Sequence, residues 1–403
     1  MTGPIWDIQW TDRNTLTMII LEKPYVSEFL QETVVRLQVP VLATAFSKSL
    51  QHAGEMNLVG NGTFFDALKA LKNPLLYSNS ENSVELLNRY GPQLGITKNV
   101  NFFKDKSKLR EIFSKLNPGV WYLKLFLEEL DELDISTVQI PFVIKPVRGF
   151  ASIGIHAVHH ASEWKPALEG IKKEVKLMQD IFPDVVVSLN EFIIEKYIEG
   201  TEIAIDAYFN EKGEPVILNI LTHLFGSRSD MRDRLYLTSD EIIRKYHDPI
   251  VMYLEEIARL RDLRNFPFHF EMRQEPGGNF VPVEINPMRF MGFCVADVEY
   301  YFWGINPYEY YFQGKKPEWG KILASRSNKL YGMFGIDIPK HLDKSRVHFN
   351  YEKFMAHFSK ILFYVKMDYT KLPMAIYLFA EVPKNRFSEF EAILYSYLSE
   401  FLQ

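Results

Sequence analysis

The chain has 403 residues, room for two to four domains at about 100–200 residues each. It is 47% hydrophobic and 24% charged, the balance of a soluble globular protein, which excludes a disordered or collagen-like chain. With 46 basic and 51 acidic residues the formal net charge is −5; no basic block that would track a phosphate backbone is present, so no nucleic-acid partner is expected. The single cysteine, Cys294, excludes an intrachain disulfide framework and a cysteine metal site, and fits a reducing, cytoplasmic setting. Trp6, Asp7, Trp10, Asp12 and Arg13 interrupt the first residues, so no targeting segment is expected there. No run reaches the roughly 18 apolar residues that span a bilayer, and no membrane partner is expected. Aromatics at 14% leave two readings open, a generous core or an aromatic-lined pocket.

In chain order, Thr15–Leu21 reads as a buried strand, Ser27–Leu37 as a helix and Val39–Ala43 as a second strand. Short apolar runs at Leu58–Val59 and Leu75–Tyr77 alternate with helical patterns near Phe64–Leu71 and Val84–Leu87. Strands alternating with helices predict a small parallel α/β unit. Its first strand is followed by Glu22-Lys23-Pro24-Tyr25 rather than GxGxxG, so it is not a dinucleotide-binding unit by motif. Lys104–Leu116 reads as a charged amphipathic helix. Strands are then predicted at Tyr122–Leu127, Phe142–Pro146, Gly154–Val158, Phe192–Tyr197, Glu202–Phe209 and Val216–Leu224, with helices at Trp164–Phe182 and Ser239–Leu263. Phe268–Gln274 and Phe280–Ile285 read as a hairpin. Gln313–Gly320 is a candidate linker. The tail carries predicted strands at Ile361–Lys366 and Ala375–Val382 and a helix over Arg386–Phe401. The expected division is an N-terminal α/β domain over 1–100, an α+β domain over 101–315 and a small C-terminal α/β extension over 320–403.

The hairpin carries the sharpest chemistry. Gly277-Gly278 suits a two-residue loop, whose central positions need positive φ. That centre pairs Glu271 with Glu284 and His269 with Asn286, and strand alternation puts all four on one face. Facing like charges are destabilising. Either water solvates both carboxylates on an exposed face, or a cation sits between them; two carboxylates and an amide oxygen are hard ligands suited to Mg²⁺. Pro276, which lacks a donor, allows a longer loop at unchanged register.

Lys145 lies on the apolar strand Phe142–Pro146, ahead of Val147-Arg148-Gly149-Phe150-Ala151-Ser152-Ile153-Gly154. Such a loop brings backbone N–H groups close to an anion, and the lysine adds a point charge for a phosphate; an ordinary hairpin turn is the alternative. Glu195 and Glu202 flank a connector through Gly200. They mark either a salt-bridged surface turn or a segment whose backbone reads a purine edge while Glu202 takes ribose hydroxyls.

Taken in order, VIKP, GFASIG, EKYIEGTE, HFE and VEINP resemble the ATP-grasp superfamily of carboxylate–amine ligases, which includes D-alanine–D-alanine ligase, biotin carboxylase and L-amino-acid ligases. The resemblance runs from about 101 to 315 and implies an ATP-grasp fold behind a parallel α/β domain. It implies that Lys106 and Lys145 are the nucleotide lysines and that Gly149, Ser152 and Gly154 form the loop over the β- and γ-phosphates. It places Glu195, Lys196, Tyr197 and Ile198 at the adenine hinge and Glu202 at the ribose. Glu271, Glu284 and Asn286 match the metal ligands for Mg²⁺ or Mn²⁺. The family often reads Glu-x-Asn-x-Arg; here the arginine is displaced by one, in Glu284-Ile285-Asn286-Pro287-Met288-Arg289. Arg289, Arg273 or His269 is then the transition-state cation. The implied activity is ATP-dependent coupling of a small-molecule carboxylate, such as an amino acid, to an amine through an acyl phosphate; a homodimer is expected. The alternatives are a carboxylate–thiol ligase, a phosphotransferase or a non-catalytic nucleotide-binding protein.

Three features stand outside these motifs. Arg228, Arg232 and Arg234 would clamp a substrate carboxylate bidentately, or belong to a solvated loop of Asp–Arg pairs. Met288, Phe290, Met291 and Phe293 would line an acceptor pocket or belong to the core. His156, His159 and His160 mimic a metal cluster on paper, but His159 and His160 alternate faces, so zinc is not expected.

Overall fold

The computed structural model describes residues 17–149, 154–178, 190–226, 234–339, 342–372 and 374–403. Three sheets organise it. The first is parallel, with strands Thr17–Ile20, Val41–Leu42, Leu58–Val59 and Leu75–Ser78; Thr17–Ile20 pairs with both Val41–Leu42 and Leu75–Ser78. Its first helix, Glu28–Leu37, starts where the alternation ends: Ser27 accepts the Leu30 N–H at 3.1 Å, satisfying a donor the helix leaves orphaned. Leu30 and Val34 bury one face of that helix against the sheet's core.

The second sheet is small and antiparallel. Glu191–Lys196 lies between Tyr122–Phe126 and Phe142–Pro146, and Phe142–Pro146 also pairs with His156–Val158. Phe142, Ile144, Phe192 and Ile194 pack with Trp164 and Ile171 of the helix Trp164–Met178.

The third sheet has eight strands. Phe280–Pro287 is the edge, followed in space by Phe266–Gln274, Thr201–Phe209, Pro215–Leu224, Leu235–Thr238, Lys329–Asp337, Met374–Pro383 and Ile361–Lys366. The tail strands therefore continue the sheet that carries the acidic hairpin. Two strands escape the sequence pattern, Leu235–Thr238 and Lys329–Asp337. The second contains Gly332 and Gly335, which lower strand propensity. Gly332 is there because a Cβ would lie 2.8 Å from the Phe390 ring. The helix Gly95–Phe103 is likewise unannounced, since no side chain caps it.

The predicted tail helix is broken. Ser388–Leu394 is helical, and Leu398–Phe401 is a separate turn of 3₁₀ helix. Buried Arg234 donates to the carbonyls of Leu394 (2.6 Å) and Ser396 (3.1 Å). It takes up the acceptors a helix leaves open at its C-terminus, and the chain turns away. Arg234 is thus a structural clasp, not part of a substrate clamp; Arg228 and Arg232 lie outside the described residues.

The hairpin register at the acidic pair matches the sequence reading, with Glu271 opposite Glu284 and His269 opposite Asn286. Its turn does not. Arg273 pairs with Val281 and Gln274 with Phe280, one residue off the two-residue loop, and an irregularity beside Glu271 restores the offset. Gly278 N–H donates to Glu275 O at 2.8 Å, and Glu275 N–H to Asn279 O at 2.9 Å. The loop is Pro276-Gly277-Gly278. Proline suits the second position of a type I turn, and Gly278, at φ +89°, supplies the left-handed residue that follows such a turn in three-residue hairpins.

Candidate functional site

Side chains from three elements meet above the acidic hairpin. The first is the helix Lys106–Leu116. Asp105 caps it, accepting the N–H groups of Ser107 and Lys108, which fixes Lys106 in the first turn. Lys106 Nζ stands 3.1 Å from Glu284 Oε1 and donates to the Gly149 carbonyl at 3.4 Å. One lysine therefore bridges the hairpin and the loop after Pro146. The second element is the strand Phe142–Pro146, whose Lys145 Nζ lies 2.6 Å from Glu195 Oε1. The third is the hairpin itself.

Arg110, missed by the sequence reading, locks these elements together. It is one helical turn from Lys106, hence on the same face. Its Nε donates to Glu195 Oε2 at 2.6 Å and its Nη1 to the Pro282 carbonyl at 2.8 Å. Helix, small sheet and hairpin thus share one guanidinium. Glu195 is only 4% exposed, which removes the surface-turn alternative. Burial works to raise its pKa, but Arg110 and Lys145 outweigh burial and hold it at about 2. Burial lowers the pKa of Lys145, assisted by the positive charges of Arg110 and Lys106 and opposed by Glu195. Lys106 goes the other way: burial is outweighed by Glu284, and its pKa rises. Glu284 is correspondingly lowered, against burial, by Lys106, Lys104 and Lys145.

Glu271, Glu284 and Asn286 lie together, and Asn286 Nδ2 donates to Glu271 Oε1 at 3.4 Å. Their donor set is two facing carboxylates and an amide, hard oxygen ligands that fit Mg²⁺ or Mn²⁺ shared with phosphate oxygens. Among the described residues no group of three or more His, Cys, Asp or Glu side chains stands ready for a metal. A cation at the hairpin would therefore complete its shell from substrate and water.

The hinge segment is more committed than expected. Glu202 accepts from His223 Nδ1 at 2.9 Å and from Arg273 at 2.8 and 3.1 Å. These partners outweigh burial and hold its pKa at about 2. Arg273 also donates to the Ile198 carbonyl at 2.7 Å and lies near the Tyr197 ring. It is thus paired with a carboxylate, as Arg289 is with Glu81. The N–H groups of Lys196 and Tyr197 donate to the carbonyls of Trp121 and Pro141, each at 3.1 Å, so they are used within the protein.

Arg289 sits elsewhere in the same charged cluster. Its Nη2 is 2.8 Å from Glu81 Oε1, and Glu81 also pairs with Lys104. Against the effect of burial, Lys104 and Arg289 hold the Glu81 pKa at about 2. Met288, just before Arg289, has φ +68°. Met288, Phe290 and Met291 are core residues and Phe293 is half-buried.

In the glycine loop, Ser152 lies outside the described residues. Gly154 has φ +71°, and a Cβ there would stand 2.9 Å from Pro146 Cγ. Its N–H donates to Glu174 at 2.7 Å. Of the three histidines, His156 Nε2 faces Glu174 at 3.5 Å and the His159 ring packs on Tyr197.

Comparison with known proteins bears on the fold that carries these residues. Residues 138–297 match the ATP-grasp domain family. A D-alanine–D-alanine ligase of Petrotoga mobilis is 30% identical over 91 residues, covering 23% of this chain and 26% of that protein; the chain thus matches about a quarter of its curated relative's length. The crystal structure of an L-amino acid ligase from Bacillus licheniformis superposes with a TM-score of 0.65 at 14% identity, covering 98% of this chain and 99% of that one. N5-carboxyaminoimidazole ribonucleotide synthetase from Thermotoga maritima gives 0.60 at 15% identity, over 96% and 99%. At these identities the likeness speaks for the fold. Residues 138–297 are an ATP-grasp domain, and the chain around them has the ATP-grasp fold.

Proposed function

We propose that the protein is an ATP-dependent carboxylate–amine ligase that forms a peptide or amide bond and releases ADP and phosphate. The observation that carries the reading is the Lys106 bridge. One buried ammonium holds a hairpin carboxylate on one side and the loop carbonyl of Gly149 on the other, beside a second buried lysine. Such ion pairs can be re-partnered by phosphate oxygens when a nucleotide enters. A Mg²⁺ or Mn²⁺ ion held by Glu271, Glu284 and Asn286 would supply neutralisation of phosphate charge.

In this reading a carboxylate oxygen of the substrate attacks the γ-phosphorus in line, the bond to the β–γ bridging oxygen breaks, and ADP leaves. An amine nitrogen then attacks the acyl carbon, loses its proton, and phosphate departs. The residues' part is positioning and charge neutralisation. Lys106 and Lys145 hold phosphate oxygens, and Glu195 with Arg110 keeps Lys145 in place. Gly149, Ser152 and Gly154 form the loop over the phosphates. The hinge from Glu195 through Lys196, Tyr197 and Ile198 borders the base, and Glu202 the ribose. Arg289, Arg273 or His269 is the cation for the developing negative oxygen, each now paired with a carboxylate: Glu81, Glu202 and Asp206 respectively. The domain division, a cytoplasmic setting and a homodimer belong to the same proposal. Among the described residues no helix is long and apolar enough to cross a membrane.

The test is isotopic. With a substrate carboxylate labelled with ¹⁸O, the acyl-phosphate route delivers one ¹⁸O into the released phosphate. Unlabelled phosphate alongside amide product refutes the route.

A further inference from the structure

A row of polar side chains crosses the eight-stranded sheet at one level. Asn286 pairs with His269, His269 with Asp206, and Asp206 with Asn219, on four successive strands. His269, Asp206 and Asn219 are all buried. Asp206 Oδ1 accepts from His269 Nδ1 at 2.7 Å and from the Met291 N–H at 2.9 Å. One carboxylate oxygen thus anchors two parts of the site. His269 turns its Nε2 toward Glu271, 3.6 Å away. Met291 ends the turn that carries Arg289.

Four buried polar atoms behind this row lack partners: Asp206 Oδ2, Asn219 Nδ2 and both carboxyl oxygens of Glu299. Glu299 lies on the short helix Val298–Trp303 and is fully buried. That helix is pinned to the row, since Trp303 Nε1 donates to Asn219 Oδ1 at 2.9 Å. Buried polar groups are almost always paired, and an ionised Glu299 gives no pairing here, because it would set one anion against another. A neutral carboxyl has one donor and one acceptor. Its hydroxyl donates to Asp206 Oδ2, so one proton between the two carboxyl groups pairs an oxygen of each.

We propose that a neutral Glu299 side chain bridges to Asp206 through its own proton, and that Asp206, steadied this way, is the positioning residue for His269 and the Arg289 turn. The charged groups that face Glu299 are Asp206 and Asp297. Burial first, then these two carboxylates, push the Glu299 pKa well above the ordinary range, in keeping with the bridge. The positioning role rests on the ligase reading; the protonation of Glu299 does not.

The test uses the full chain and two readouts. Infrared difference spectra of wild type against Glu299→Gln show the carbonyl stretch of a buried carboxylic acid that only the wild type has. Glutamine reproduces the donor and the acceptor, so Glu299→Gln keeps kcat and the KM for ATP. Asp206→Asn lowers kcat about 10–100-fold, the usual size of a supporting-shell effect, and leaves the KM for ATP unchanged. Should Asp206→Asn fail to fold, Glu299→Leu, which strips Asp206 Oδ2 of its partner, gives the same fall in kcat.

An ionised-carboxylate signal in place of the acid band overturns the bridge. Loss of turnover in Glu299→Gln, or unchanged kcat in Asp206→Asn, overturns the positioning role. Absence of ligase turnover in the wild type refutes the reading of the site and with it the positioning role, while the infrared readout still decides the proton.

Discussion

Replacing Arg110 with methionine removes the one guanidinium that ties helix, small sheet and hairpin together. Methionine fills a similar volume, so the loss is of charge and hydrogen bonds rather than packing. Arg110 is 3% exposed and its partner Glu195 4%. Glu195 is held down from 4.5 to about 2, against burial, by Arg110 and Lys145 together. At about 1.4 kcal/mol per pH unit, that drop corresponds to about 3 kcal/mol, which falls at the lower end of the roughly 3–5 kcal/mol expected for breaking a buried pair. The sign is fixed by the direction of the shift. A depressed carboxylate contributes stability above its unfolded pKa, and loses it as pH falls from 4.5 toward 2. In Arg110→Met the folded pKa of Glu195 is higher, so part of that contribution is gone at neutral pH. The chain has several sheets, so local opening is a better measure than a single melting temperature. Hydrogen exchange at neutral pH should show the amides of Glu191–Lys196 and Phe142–Pro146 losing roughly tenfold in protection, about half of that 3 kcal/mol, since Lys145 still pairs with Glu195. The tail strands Ile361–Lys366 and Met374–Pro383 should keep theirs. Unchanged protection in the small sheet would refute the claim that this buried charge pair holds the sheet to the hairpin.

Glu284→Gln removes one of two facing carboxylates and the partner of Lys106; turnover should fall on the order of 10²–10³-fold with the circular dichroism spectrum intact. Lys145→Ala should behave alike in turnover, and a wild-type rate in either variant contradicts the assigned roles. Gly154→Ala places a Cβ 2.9 Å from Pro146 Cγ at φ +71°. It should lower stability by about 1–3 kcal/mol, read as an earlier urea transition. Arg234→Ala frees the carbonyls of Leu394 and Ser396; limited proteolysis should then cut the tail faster while ATP affinity holds.

Much of the fold was legible because local signals agree with it. The strands Phe142–Pro146 and Ile361–Lys366 stand as read, and Ser27 announces the first long helix. Where reading failed, a distant residue overrode the local pattern. Lys329–Asp337 tolerates its glycines because the Phe390 ring lies against Gly332, 58 positions away in sequence. The tail helix stops because Arg234, 160 positions before Leu394 in sequence, takes up its last carbonyls. The same holds for the site. Alternation alone put Glu271, Glu284, His269 and Asn286 on one face, since two strands and a turn are a local matter. Arg110 was within reach, four residues after Lys106 on one helix face. Glu81, His223 and Asp206 were not: their partners Arg289, Glu202 and His269 lie on other elements, distant in sequence, and no spacing within one element signals them.

The central claim, that this chain of ATP-grasp fold joins a carboxylate to an amine, is tested most directly by phosphate release from Mg·ATP. The assay runs across a panel of amino acids, singly and in pairs, with mass spectrometry on the products. The account predicts release that requires two substrates together and yields ADP, phosphate and an amide in equal amounts. A phosphorylated or thioester product, or tight ATP binding with no turnover across carboxylates and amines, would contradict it.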